Sequence, residues 1–193
     1  MFEQLFHTIN QKVELTEEEQ GAIKPFFIPK KIRKRQYLLQ EGEACKYTAF
    51  VEKGVLRSYS LDEKGNEHLV QFALEGWWIS DQYSVLTGEP SVYNIDALED
   101  SEILLISDAS FEAMLETVPK MEKYFRILMQ NSMIAMQRRL VASLSLTAEE
   151  KYTRMINAYP DIILRVPQHM IASYLGITPE TLSRIRKQMS TAR

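Results

Sequence analysis

Near the C-terminus, Glu180, Thr181, Ser183, Arg184, Arg186 and Lys187 are of types that read or hold nucleic acid. A carboxylate accepts from the cytosine amino group, a guanidinium donates two hydrogen bonds to guanine, and a threonine can address several bases. Glu180 and Arg184 are four apart and share one face of a helix. As an isolated pair they would amount to an exposed salt bridge worth about 0.2 to 0.5 kcal/mol. The residues around them carry the stronger signal. We expect Glu180, Thr181 and Arg184 to address base edges, and Gln168, His169, Thr178, Ser183, Arg186 and Lys187 to hold the phosphate backbone.

The element that must position these side chains is a pair of short helices. Pro167 suits the first turn of a helix, where its missing N–H has no partner to lose, and Gly176 can take the left-handed conformation that ends it. Thr178 then offers a hydroxyl cap and Pro179 a first helical position. Ile171, Leu175, Ile177, Leu182 and Ile185 are spaced to be buried where two such helices cross steeply, with Ala172 small enough for close approach. This is the helix-turn-helix pattern.

Charge is distributed to match. The chain of 193 residues has a net charge of −3, yet residues 138–193 carry nine Lys/Arg against four Asp/Glu, a balance of +5, and residues 1–137 a balance of −8. Only the rear segment suits phosphates. The single cysteine, Cys45, excludes an internal disulfide and any all-cysteine metal or cluster site supplied by one chain. His7, His68 and His169 are scattered without metal-ligand spacing, and no nucleophile, base and acid recur in a catalytic motif, so no enzyme and no cofactor is expected. The N-terminus lacks a basic region followed by an apolar run, and no segment approaches 18 uninterrupted apolar residues. A cytoplasmic protein without membrane contact is expected.

Earlier in the chain, Leu5, Phe6 and Ile9 form one side of a short amphipathic segment, and Thr16 with Glu19 makes a capping box. The basic run Lys30–Arg35 reads as a solvated strand entrance. Glycines at 42, 54, 65, 76 and 88 punctuate strand-like runs at 47–51, 55–61, 68–74 and 101–106, with a hairpin turn over 62–66, which predicts a compact antiparallel roll of the kind that often encloses a small ligand. Residues 108–115 should be helical, as should 147–159. Between them a long helix runs over about 120–144, with no Gly or Pro inside it. Met129, Met133, Met136 and Leu140 follow coiled-coil spacing and predict pairing with a second copy. The fold class is α+β in three parts: a sensor roll with flanking helices (1–118), a dimerisation helix (119–145) and a DNA-binding domain (146–193).

This order of parts resembles the cyclic AMP receptor protein/FNR superfamily of bacterial transcription regulators. The likeness covers nearly the whole chain and rests on 39–43 (Leu-Gln-Glu-Gly-Glu), 51–54, 62–67, 76–79 (Gly-Trp-Trp-Ile) and 166–186, the last resembling members from the Bacteroidetes. It implies a homodimer that places two recognition helices in successive major grooves of a palindromic site, half-sites about 34 Å apart. It also implies RNA polymerase as a further partner. Members that bind a cyclic nucleotide use a Gly-Glu pair and, eleven residues after the glycine, an Arg-Ser pair. Here those positions are Ser80-Asp81 and Ser91-Val92, and Ser91 cannot replace a guanidinium against phosphate. Ser80, Asp81, Ser91, Val92 and Tyr93 are then the expected pocket for an unknown small effector other than cyclic AMP. The seven residues after Arg186 also leave out the β-hairpin wing of many members. The competing reading is a ligand-binding or protein-binding module without DNA readout, which the +5 rear segment disfavours.

Overall fold

A computed structural model describes residues 1–191. Two four-stranded antiparallel sheets face each other. The first has the order β1 (Ile28–Ile32), β8 (Ser101–Ile106), β3 (Thr48–Lys53), β6 (Trp78–Ile79); the second has β2 (Tyr37–Leu39), β7 (Asn94–Ala97), β4 (Leu56–Leu61), β5 (Glu67–Ala73). Side chains alternate across a strand, and β3 and β8 use both faces. Ala49, Val51, Ile103 and Leu105 point between the sheets, where Leu56, Ile95 and Ala97 meet them. Phe50, Leu104 and Ile106 point the other way, under α1 (Glu3–Asn10), α2 (Glu17–Ile23), α4 (Asp108–Thr117) and the start of α5 (Lys120–Ser145).

Local chemistry fixes the ends of these helices. Glu52 accepts from the backbone N–H groups of Phe2 and Leu5 (both 2.8 Å), placing a carboxylate at the positive end of α1. The Thr16–Glu19 capping box forms as expected. Gly54 has φ 106°, and a Cβ there would lie 2.1 Å from the Ser101 hydroxyl, so both its backbone and its surroundings require glycine.

A third core lies on the outer face of the second sheet. Val55, Tyr59, Leu69 and Phe72 pack against α6 (Ala148–Ala158), α7 (Ile162–Arg165), α8 (Gln168–Leu175) and α9 (Pro179–Thr191). On the same face Arg57, 6% exposed, reaches Asp96 through two hydrogen bonds (2.7 and 3.0 Å), holds Glu67, and lies 4.2 Å over the Tyr59 ring.

Strand lengths differ from expectation mostly by one or two residues. Three strands, β1, β6 and β7, go beyond the sequence reading, being short or, in β1 and β7, built from Lys or Asp, while the strand that the basic run was expected to enter is the short β2. The basic run lies partly in β1, at Lys30 and Lys31, and partly in the turn that follows. Two short helices also go beyond the sequence reading: α7, and α3 (Gln82–Thr87), which bears on the effector pocket.

Candidate nucleic-acid interface

The two C-terminal helices form as a compact pair. Gly176 ends α8 at φ 67°, with the Ile177 N–H closing on the Ala172 carbonyl (3.0 Å). Thr178 caps α9: its hydroxyl accepts from the Thr181 N–H (3.2 Å) and its carbonyl from the Leu182 N–H (3.1 Å). Pro179 is the first residue of α9, as expected. Pro167, expected within the first turn of α8, instead occupies the capping position with an extended ψ of 141°, one residue before the helix. A proline has the right φ for either place, and the turn begins where an N–H is available.

Burial separates the two faces of α9. Leu182 (0% exposed) and Ile185 (5%) sit on Ile171, Ala172, Tyr152 and Met155. Glu180, Ser183, Arg184 and Lys187 are on the exposed side, with Thr181 and Arg186 half-buried beside them. The Thr181 hydroxyl is within 3.2 Å of the Thr178 hydroxyl, which ties both to the cap. Gln168 and His169 are exposed at the N-terminal end of α8, where free N–H groups favour an anion. The structure thus brings these polar residues to one end and one side of the motif.

Contacts unforeseen from sequence fix this unit to the roll. Ser173 bridges the outer edge of β5, donating to the Glu67 carbonyl (2.9 Å) and accepting from the Leu69 N–H (3.1 Å). Arg139 of α5 donates to carbonyls of Leu69, Val70 and Tyr174 and stacks 4.1 Å over the Tyr174 ring. Arg165 forks onto Glu75 (2.8 and 2.7 Å) and also holds Glu99. These partners are about 35 to 106 positions apart, so no local pattern announces them.

Burial works to raise the Glu75 pKa, but the Arg165 guanidinium and the Gly54 N–H outweigh it and hold the carboxyl at about 2, below its ordinary 4.5. A carboxyl depressed on folding contributes stability above its unfolded pKa and loses it as pH falls through the folded value. We expect the near-ultraviolet circular dichroism to report loosening of this junction between pH 4.5 and about 2, and the change in that window to shrink in Arg165→Gln.

The family described as "Cyclic nucleotide-binding domain" matches residues 29–118. Regulatory protein HlyX of Actinobacillus pleuropneumoniae is 26% identical over 167 residues, covering 81% of this chain and 69% of that protein. The fumarate and nitrate reduction regulatory protein of Vibrio cholerae is 25% identical, covering 81% and 66%. The chain therefore spans about two thirds of the length of these curated relatives. Among solved structures, FixK2 from Bradyrhizobium japonicum superposes with a TM-score of 0.72 at 23% identity, covering 86% of this chain and 85% of that one. The Thermus thermophilus catabolite activator protein gives 0.57 at 17%, covering 96% and 87%. These two likenesses show the fold. The chain is similar to transcription regulators of the CRP/FNR type.

The residues expected to form an effector pocket are engaged with one another and with a helix end. Asp81 is 5% exposed and serves as the N-cap of α3, accepting from the N–H groups of Tyr83 (3.1 Å) and Ser84 (3.3 Å). Ser91, 2% exposed, donates to its other oxygen (2.7 Å) and accepts from the Tyr93 N–H (3.0 Å). The Ser80 hydroxyl is engaged by Gln82 (2.7 Å), and Val92 is 61% exposed. Asp81 and Ser91 are thus satisfied by each other and by a helix end. Trp78 packs edge-on against Phe50 and Phe125 and donates to the Tyr124 hydroxyl (3.1 Å).

Proposed function

We propose that the chain is a CRP/FNR-type transcription regulator and works as a homodimer whose two α9 helices enter successive major grooves of a palindromic duplex. In this reading residues 1–118 sense, 119–145 pair and 146–193 bind DNA. The observation that carries it is the division of α9: two fully seated apolar residues hold it, and a continuous polar side faces out. Glu180, Thr181 and Arg184 address bases; Gln168, His169, Thr178, Ser183, Arg186 and Lys187 fix the register on phosphates. Pairing runs through α5. Met129, Met133, Met136 and Leu140 are 52%, 58%, 70% and 61% exposed, an apolar stripe that a second copy of the same helix would cover. Such a dimer acts in the cytoplasm, where RNA polymerase is the partner whose access or recruitment it alters. No helix among the described residues is long and apolar enough to cross a membrane.

Arg184→Ala tests base readout. With a duplex selected from random sequence, anisotropy titrations should show a loss of about 1 to 3 kcal/mol on the preferred site and a smaller loss on random DNA. Equal losses on both would remove Arg184 from the bases.

A further inference from the structure

We propose that the cleft between α5 and the C-terminal helices is a binding site for a small amphipathic anion: a carboxylate, sulfonate or phosphate head on an aromatic or branched apolar body. The cleft holds about 770 Å³, within the range of pockets for small ligands, about 300 to 1,000 Å³. Its walls carry Arg138, Arg139, Lys151 and Arg154 and no carboxylate, in a chain where Asp and Glu outnumber Lys and Arg by 26 to 23. Arg139 is spent on backbone carbonyls and the Tyr174 ring, and the Lys151 ammonium gives one hydrogen bond to the Ser143 carbonyl (3.2 Å). Arg138 and Arg154 take part in no salt bridge among the described residues. Met155, Ala142, Leu175 and the rings of Tyr159 and Tyr174 supply an apolar wall for the body of the ligand.

Placement on α5 keeps the cleft open in a dimer. Asn131, Ala135, Arg138 and Ala142 line it at spacings of four, three and four, each two residues on from Met129, Met133, Met136 and Leu140. Two residues are about 200° of helix, so the cleft and the methionine seam lie on opposite sides. One wall belongs to the long helix and the others to α6 and α8, so an occupant that fits one arrangement better than another biases where the DNA-binding unit sits. That last step rests on the function proposed above; the binding itself does not.

The test uses the full chain and 1-anilinonaphthalene-8-sulfonate, an aromatic sulfonate whose fluorescence reports binding. Arg138→Gln with Arg154→Gln, both exposed positions, should weaken the probe at least tenfold. Ala142→Trp, which fills the cleft, should do the same. Octanoate should displace the probe, and inorganic phosphate at equal concentration should not. The seam variant Met133→Glu with Met136→Glu should keep the probe's affinity. The proposal is overturned if the double glutamine variant binds the probe unchanged, if the seam variant loses it, if phosphate competes as well as octanoate, or if no binding occurs. It is also overturned if the glutamine variant loses DNA affinity but not the probe, since the cations would then follow the DNA backbone.

Discussion

Met133→Glu combined with Met136→Glu is expected to give a folded monomer that binds a palindromic duplex about 10² to 10⁴-fold more weakly than the parent chain. Both side chains are more than half exposed within one chain, so the substitutions remove little packing from the monomer. Across a two-fold axis they place four carboxylates where four thioethers met. Burying each methionine stabilises by roughly 1.5 to 3 kcal/mol, and bringing like charges into the same seam adds repulsion. The loss of DNA affinity follows from effective concentration. Once one recognition helix is seated, its partner binds as an intramolecular event, and separating the two removes that advantage. Sedimentation velocity reads the first part and anisotropy the second. A variant that stays dimeric would move pairing away from α5.

The second large effect is on stability. Arg57→Met should cost about 3 to 5 kcal/mol in urea unfolding, because it leaves the Asp96 carboxylate, whose side chain is 8% exposed, without its cation. The guanidinium also holds Glu67, whose carbonyl receives the Ser173 hydroxyl, so the same substitution should loosen the seating of α8 on β5. Arg57→Met with Asp96→Leu should recover much of the loss, since removing both members of a buried pair is often nearly neutral. A cost below about 1 kcal/mol for the single change would mean that water reaches Asp96 in place of the arginine.

Sequence was most informative where the signal is local. Gly176, Thr178 and Pro179 each act within one turn, and the helix pair they define forms with Leu182 and Ile185 inside. The same holds for the Thr16 capping box and for the uninterrupted run that becomes α5. It was least informative where burial of a charge depends on a distant partner. Nothing near Asp96 says that Arg57, 39 positions earlier, will cover it. Ser173, Arg139 and Arg165 look like ordinary surface residues until β5 and the Glu75 turn are beside them. Asp81 is a different case. An aspartate seven residues before Gly88 is the outline of a short capped helix, and Gly88 takes φ 73° at its end.

The claim on which the rest depends is that α9 pairs reach phosphates and bases of one duplex. It is tested by titrating the full chain into a duplex chosen from random sequence, across potassium chloride from 50 to about 200 mM, with the stoichiometry measured at each step. The account predicts two chains per duplex and an affinity that falls by roughly 10³ to 10⁵ across that range if about 6 to 10 phosphates are contacted. One chain per duplex, or an affinity indifferent to salt, would contradict it.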